Sequence, residues 1–377
     1  MLRTSLLAAI AATSLAVIAV GCGSEPETKP TPPVNETGRV PVTLPDGASK
    51  ACADPGTTQA INELFLGDTN RDGSPNTTNG WKDYGFNLDG FISSKTSTNL
   101  CQPREGGSKA SIYPDGNEGI DNSFGKNILP IILGLASDLS KTANDSIKEG
   151  DFTIMLDISA LGTDCTGAAG KLYAGAKLVD GAGMALVPKF DGTDEWPLSR
   201  ELLENPADPA SAKIKFPQAY VAGNTWVSGT KGTVSIQLTI SGFTISLDIK
   251  NAYVTLDLES GNTKGTNGTI AGVLDTEQLV SQISKVAAAF DTSFCDPTSP
   301  TLVSILNQLR QASDIMKDGT QNPGAQCDGI SIGLGFNTRP VKLGVVAMPG
   351  AAPPDPCNPG TGGAGGAGGA GGAGGGP

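Results

Sequence analysis

The chain has 377 residues, with 38 Asp plus Glu against 26 Lys plus Arg and a formal net charge of −12. No basic run offsets that balance, which argues against nucleic acid as a partner. Histidine is absent, and with it go Ser-His-Asp and Cys-His catalysis and histidine-ligated zinc, iron or copper.

The N-terminus reads MLRTSLLAAIAATSLAVIAVGC. One positive charge at Arg3, an apolar run from Leu6 to Val20 and a small residue before Cys22 make an export signal over residues 1–21. The run is short for a membrane span, and Thr13 and Ser14 dilute it. Ala19-Val20-Gly21-Cys22 resembles the lipobox of bacterial lipoprotein precursors, with Ala19 where a larger aliphatic residue is usual. That resemblance implies a lipid anchor on Cys22: a diacylglycerol thioether plus N-acylation, whose several chains hold a membrane more firmly than one. Gly23 and Ser24 follow with no Asp, which by the same resemblance implies the outer membrane of the cell envelope, with a periplasmic or surface-facing domain. Residues 22–45, rich in Pro, Thr and Glu, cannot bury a core and are expected to be an extended tether.

A domain is expected over 46–348. Early in it, DTNRDGSPNTTN places Asp68, Asn70 and Asp72 at the first, third and fifth positions of a calcium loop, with Gly73 at the sharp turn. The Ser74 carbonyl and Asn76 take the seventh and ninth positions. Asn79 stands where a bidentate Glu is usual, so Asp89 or Asp121 would have to close a calcium site from outside. The plainer alternative is a polar turn, because turns require the same residue types. Trp81, Tyr84, Phe86 and Tyr113 are interleaved with these carboxylates and amides, a mix that suits either a sugar platform or a small local core. Further on, NILPIILGLASDLS is apolar and predicts a helix with Pro130 near its start, and DFTIMLDI alternates as a strand with Phe152, Ile154, Leu156 and Ile158 inward. Asp194 and Glu195 beside Trp196 are the kind of carboxylates a glycosidase needs.

The segments AKIKF and QAYVAG predict short strands before the strongest signal in the chain. TVSIQLTI, FTISLDI and AYVTLDLE each alternate with period two and are separated by Ser241-Gly242 and Lys250-Asn251, which predicts a three-stranded antiparallel meander with one face on a core and one on water. Asp275 three residues before Gln278 has the spacing of a capping box, opening one helix. Ser299, Pro300 and a stop at Gly319 frame a second. After residue 348 the chain turns Pro-rich and then repeats Gly-Gly-Ala, a flexible tail over 349–377 without the proline that collagen requires.

Of seven cysteines, Cys22 is set aside for lipid and six remain. An even number in an exported chain suits disulfides, with about 15 possible pairings. Cys295 and Cys327 flank the second helix and are expected to pair. The set GFNLDG, STNLC and PDGNEGIDNSFG resembles a pattern of uncharacterised exported lipoproteins of social soil bacteria of the myxobacterial type, which implies a location and no activity.

Together these readings predict a mainly β, α+β fold, with an antiparallel meander in a sandwich or in a sheet packed on a helix pair. The expected function is that of a lipid-anchored envelope protein, not an enzyme, with a binding or structural domain and a glycan or an envelope protein as partner. A carbohydrate-binding jelly-roll or laminin-G-like module and a carboxylate glycosidase are the rivals. Cys22→Ala is expected to release the protein from the membrane fraction or leave it unprocessed. Labelling with a fatty acid that fails to mark the wild type would overturn the anchor.

Overall fold

The computed structural model describes residues 38–348 apart from 241–242, 260, 262–263 and 290, together with Cys357. The signal segment, Cys22, most of the tether and nearly all of the tail lie outside the described residues. Among those described, thirteen strands form one sheet. They are β1 (Asp54–Phe65), β2 (Thr153–Leu161), β3 (Cys165–Thr166), β4 (Gly170–Gly175), β5 (Glu195–Leu198), β6 (Ile214–Phe216), β7 (Tyr220–Ala222), β8 (Thr225–Val227), β9 (Gly232–Ile240), β10 (Phe243–Leu258), β11 (Gly265–Asp275), β12 (Gly329–Pro340) and β13 (Lys342–Val346). The main path runs β13-β5-β4-β2-β1-β12-β11-β10-β8-β7-β3, with β6 attached to β4 and β9 to β10. The pairings are antiparallel except β13 with β5. The sheet curls into half a barrel. Twist accumulated over long strands, sharpened where the register shifts at bulges, is the physical source of such curling.

The meander is there, with one change. The second and third predicted runs are a single strand, β10, and Lys250-Asn251 is a bulge within it rather than a turn. Asn251 takes a left-handed φ of 51°. The apolar series steps by two through Leu247 and Ile249, then by three to Ala252, then by two through Val254 and Leu256, and all of these are buried. One extra residue absorbs the odd step and keeps every apolar side chain on the same face. A sequence pattern of this kind fits a tight turn equally well. The pairing of β10 with β8 and β11 beyond the bulge decides between them.

Helices cover that face: α1 (Lys109–Ile112) is a single turn elsewhere, while α2 (Leu129–Leu135), α3 (Leu139–Glu149), α4 (Thr276–Val286) and α5 (Pro300–Gln311) supply Leu129, Ile147, Ile283 and Leu309 to the main core. Asp275 caps α4 by accepting from the Glu277 and Gln278 amides. The return half of the capping box is missing, because the Gln278 side chain reaches Asp248 instead. α5 starts at Pro300 as expected but ends at Gln311, not at Gly319. The intervening chain leaves the helix so that Ile315 can pair with Gly329 at the start of β12.

The other face is not left to water. Ala60, Met155, Tyr173, Trp196 and Leu198 form a second core across β1, β2, β4 and β5, and Phe86, Leu88, Ala271, Val273 and Ile315 form a third. The unbroken run Ile154-Met155-Leu156 in β2 is buried on both sides for this reason.

β12 determines how the segment from Gly67 to Gly125 lies. β1 stops pairing with it at Phe65, opposite Gly335. Residues 329–333 therefore continue past the end of β1 with their polar groups on that side needing partners. Asn122, 2% exposed, supplies them. Its Oδ1 accepts from the Gly333 amide at 3.1 Å, and its Nδ2 donates to the Gly333 carbonyl at 3.1 Å and to the carbonyls of Trp81 and Tyr84 at 3.1 and 3.0 Å. Two residues earlier, Asp314 accepts from the Ser331 amide and hydroxyl. The segment presses so close that a Cβ at Gly333 would stand 2.1 Å from the Tyr84 carbonyl oxygen, and one at Gly335 2.3 Å from the Tyr84 ring.

The disulfides are Cys52–Cys165, Cys101–Cys327 and Cys295–Cys357. The expected Cys295–Cys327 bridge is thus corrected. Gln102 pairs with Gln326, which sets Cys101 beside Cys327, while Cys295 closes a short turn whose Phe294 packs on α5. Cys101–Cys327 closes a separation of 226 residues, worth roughly 5 kcal/mol in the chain-entropy model. The tether ends earlier than expected. Arg39 already donates its amide to Glu118 and accepts from the Asn87 amide, and the Val42 carbonyl accepts from the Tyr220 hydroxyl.

Asn122→Ala would orphan the amide and carbonyl of Gly333 in a buried site. Each unpaired buried group costs about 1–3 kcal/mol, so the variant is expected to lose about 3–5 kcal/mol of unfolding free energy. Urea denaturation with an unchanged slope measures it, and a loss under 1 kcal/mol would be too small for the role assigned here.

Candidate functional site

The predicted calcium loop leaves β1 through Gly67 and turns at Gly73, both with positive φ. Its polar groups bond to one another. The Ser74 carbonyl accepts from the Asn70 amide, and the Asp68 carbonyl from the Asn76 amide. Asp72 Oδ1 accepts from the Ser74 amide at 2.9 Å and from its hydroxyl at 2.5 Å, while Asn70 Oδ1 accepts from Asn76 Nδ2 at 2.7 Å. The bonds from Ser74 pull the Asp72 carboxyl below its ordinary range. Asp68 Oδ1 alone is buried without a hydrogen-bond partner. The structure brings Asp68, Asn70, Asp72, Ser74 and Asn76 into one loop, but apart from the Asp68 side chain their oxygens are turned onto the loop's own donors. Among the described residues no group of three or more His, Cys, Asp or Glu is placed to hold a metal ion.

Asp89 and Asp121 belong to a different neighbourhood, with Asp115 and Asp314. Asp121 Oδ2 accepts from the Leu88 amide at 2.7 Å, Asp89 accepts from the Phe91 amide and from Gln321 Nε2, and Asp115 accepts from the Ser93 amide. Burial, and then the neighbouring carboxylates, raise Asp121 far above the usual carboxylate range and Asp115 to about 8. Burial pushes Asp314 to about 7 against the two bonds from Ser331, and raises Asp89. Lys126, which donates to the Pro114 carbonyl, is lowered to about 8 by burial although Asp314 and Asp115 favour its charge.

The aromatics of this segment are core. Trp81, Tyr84, Phe86 and Tyr113 are each at most 6% exposed, so none of them offers a ring face to a sugar. Trp196 is likewise fully buried and donates to the Ala176 carbonyl, and Asp194 accepts from the amides of Lys189 and Phe190 to hold a turn. That is a structural use for Asp194, one of the two carboxylates singled out as glycosidase candidates; Glu195, the other, is exposed at the start of β5.

What the sequence reading missed is a cleft of about 580 Å³ between residues 39–42 and strands β8, β10 and β11. Arg39, Arg71, Asp83, Asp257 and the side chains of Thr225, Thr255, Thr269 and Asn267 line it. The calcium-like loop delivers Arg71. Its guanidinium lies 4.9 Å from the Tyr84 ring centre and donates from Nη1 to the Gly268 carbonyl at 3.1 Å and from Nη2 to Thr269 Oγ1 at 3.0 Å. Arg39 Nη1 donates to the Asp83 carbonyl at 3.2 Å. Burial, and next the charge of Arg39, lower the affinity of Arg71 for its proton. Among the described residues neither arginine is in an ion pair. The two carboxylates nearby are engaged by neutral donors: Asp257 by Thr225 and Asn267, Asp83 by Asn117. The available signal was one arginine inside an otherwise acidic turn and another just before the domain, and nothing in their spacing joins them.

Comparisons with protein-family models, with curated proteins and with solved structures return no match.

The carboxyl cluster makes stability depend on pH. Groups whose native pKa is raised bind more protons folded than unfolded between about pH 4 and pH 8, so stability falls as pH rises through that window. The melting temperature is expected to be higher at pH 5 than at pH 8.5. Asp121→Asn, which keeps an acceptor for Leu88, is expected to flatten the slope. A melting temperature that rises from pH 5 to pH 8.5 would overturn this assignment.

Proposed function

We propose that this protein is a lipid-anchored component of the bacterial cell envelope whose β-rich domain binds a ligand and catalyses nothing. The lipobox-like Ala19 to Cys22 supports the anchor, and three disulfides suit an exported domain. The observation that carries the binding reading is the arginine-lined cleft. Its volume of about 580 Å³ is in the range of small-molecule sites. It combines donors unused by any carboxylate with hydroxyl and amide groups, and it is assembled from four separate stretches of chain. Among the described residues neither guanidinium group is neutralised by an ion pair.

Val40 lines the mouth of the cleft and is 47% exposed. Val40→Trp should therefore narrow the cleft without disturbing the core. In co-sedimentation of the domain with isolated envelopes, the variant is expected to bind at least about tenfold more weakly at an unchanged melting temperature. Equal binding would remove the cleft from the function. A wild-type domain that does not sediment at all would leave a structural role.

A further inference from the structure

Resting on the reading of the cleft as the ligand site, we infer that it takes a sugar carrying a single carboxylate, a uronic acid unit, with Arg39 and Arg71 on the carboxylate. Guanidinium groups favour carboxylates and phosphates because their forked donors match paired oxygens. The rest of the lining decides between the two. Two arginines face two carboxylates, Asp83 and Asp257, so the cleft is close to neutral. A dianionic phosphate would bring a second negative charge against those carboxylates, while one carboxylate leaves a smaller imbalance. The same carboxylates, with Thr225 and Asn267, can exchange hydrogen bonds with ring hydroxyls.

Recognition by stacking is not available, since Tyr84 and Phe86 are 0% and 4% exposed. Tyr84 instead spends its face on Arg71. The cleft therefore reads charge and hydroxyls rather than the apolar face of a sugar. The net charge of −12 repels a long polyanion, and salt screens that repulsion beyond about 8 Å at physiological strength. Short or terminal uronate units are the form that fits.

The test is titration calorimetry of the domain, residues 23–377, with a trimer bearing galacturonic acid at one end only (the galacturonic acid trimer), a galactose trimer and inorganic phosphate. The galacturonic acid trimer is expected to bind at least tenfold more tightly than either of the others. Arg39→Ala, on a segment at the surface, is expected to weaken it at least tenfold, and Arg39→Lys to restore only part of that loss, because lysine cannot make a forked contact. Equal binding of the neutral trimer, or tighter binding of phosphate, would overturn the ligand class. If Val40→Trp abolishes envelope binding while the galacturonic acid trimer does not bind the wild type, the cleft stands as the site and the uronate assignment falls. Binding of the trimer unchanged by both Arg39→Ala and Arg71→Ala would overturn the placement on the arginines.

Discussion

Everything distinctive in this domain depends on how the central strand β12 is finished where its neighbour β1 ends. A strand edge buried under other chain must have its amides and carbonyls paired. Here side chains do the pairing: Asn122 holds both groups of Gly333, and Asp314 holds the amide of Ser331. Asn122 also donates to Trp81 and Tyr84. One amide therefore fixes the sheet and the segment lying over it in a single arrangement. The glycines at 333 and 335 allow the approach, since the space a side chain would need is filled by Tyr84.

That arrangement reaches the cleft through Tyr84. Its ring is set on the sheet beside Phe65, its hydroxyl donates to the Thr69 carbonyl, and the Arg71 guanidinium lies 4.9 Å from its ring centre. The loop between Asp68 and Asn76 is thereby held as a stiff, self-bonded turn that presents a cation. The same packing buries Asp121 and Asp314 and crowds them with Asp89 and Asp115. Carboxyl groups so placed keep protons that water would remove, and the fold carries that electrostatic load as the condition of closing β12.

The strands of period-two alternation were legible, because each has one face on the main core and its neighbours in sequence are its neighbours in space. β9 and β10 pair as the alternation predicts from Val234 to Ile249. The cap at Asp275 and the start of α5 were legible for the same reason, since capping is decided within one turn. The central strands β11 and β12 were not. GTNGTIAGVLD and GISIGLGFNTRP are interrupted by glycines that local reasoning takes as loop, whereas those glycines admit Phe336, Lys250 and Tyr84 against the strands.

By itself the sequence determined the exclusion of histidine chemistry and the β-dominated class, since these rest on composition and on contacts between near neighbours. Only the tertiary structure decided the cysteine partners, the bulge at Asn251, the burial of Trp81, Tyr84 and Trp196, and the meeting of Arg39 with Arg71. Each of those is a contact across tens to hundreds of residues. Periodicity carries no record of such distances, because the same turn or side chain satisfies local rules whichever distant partner it meets.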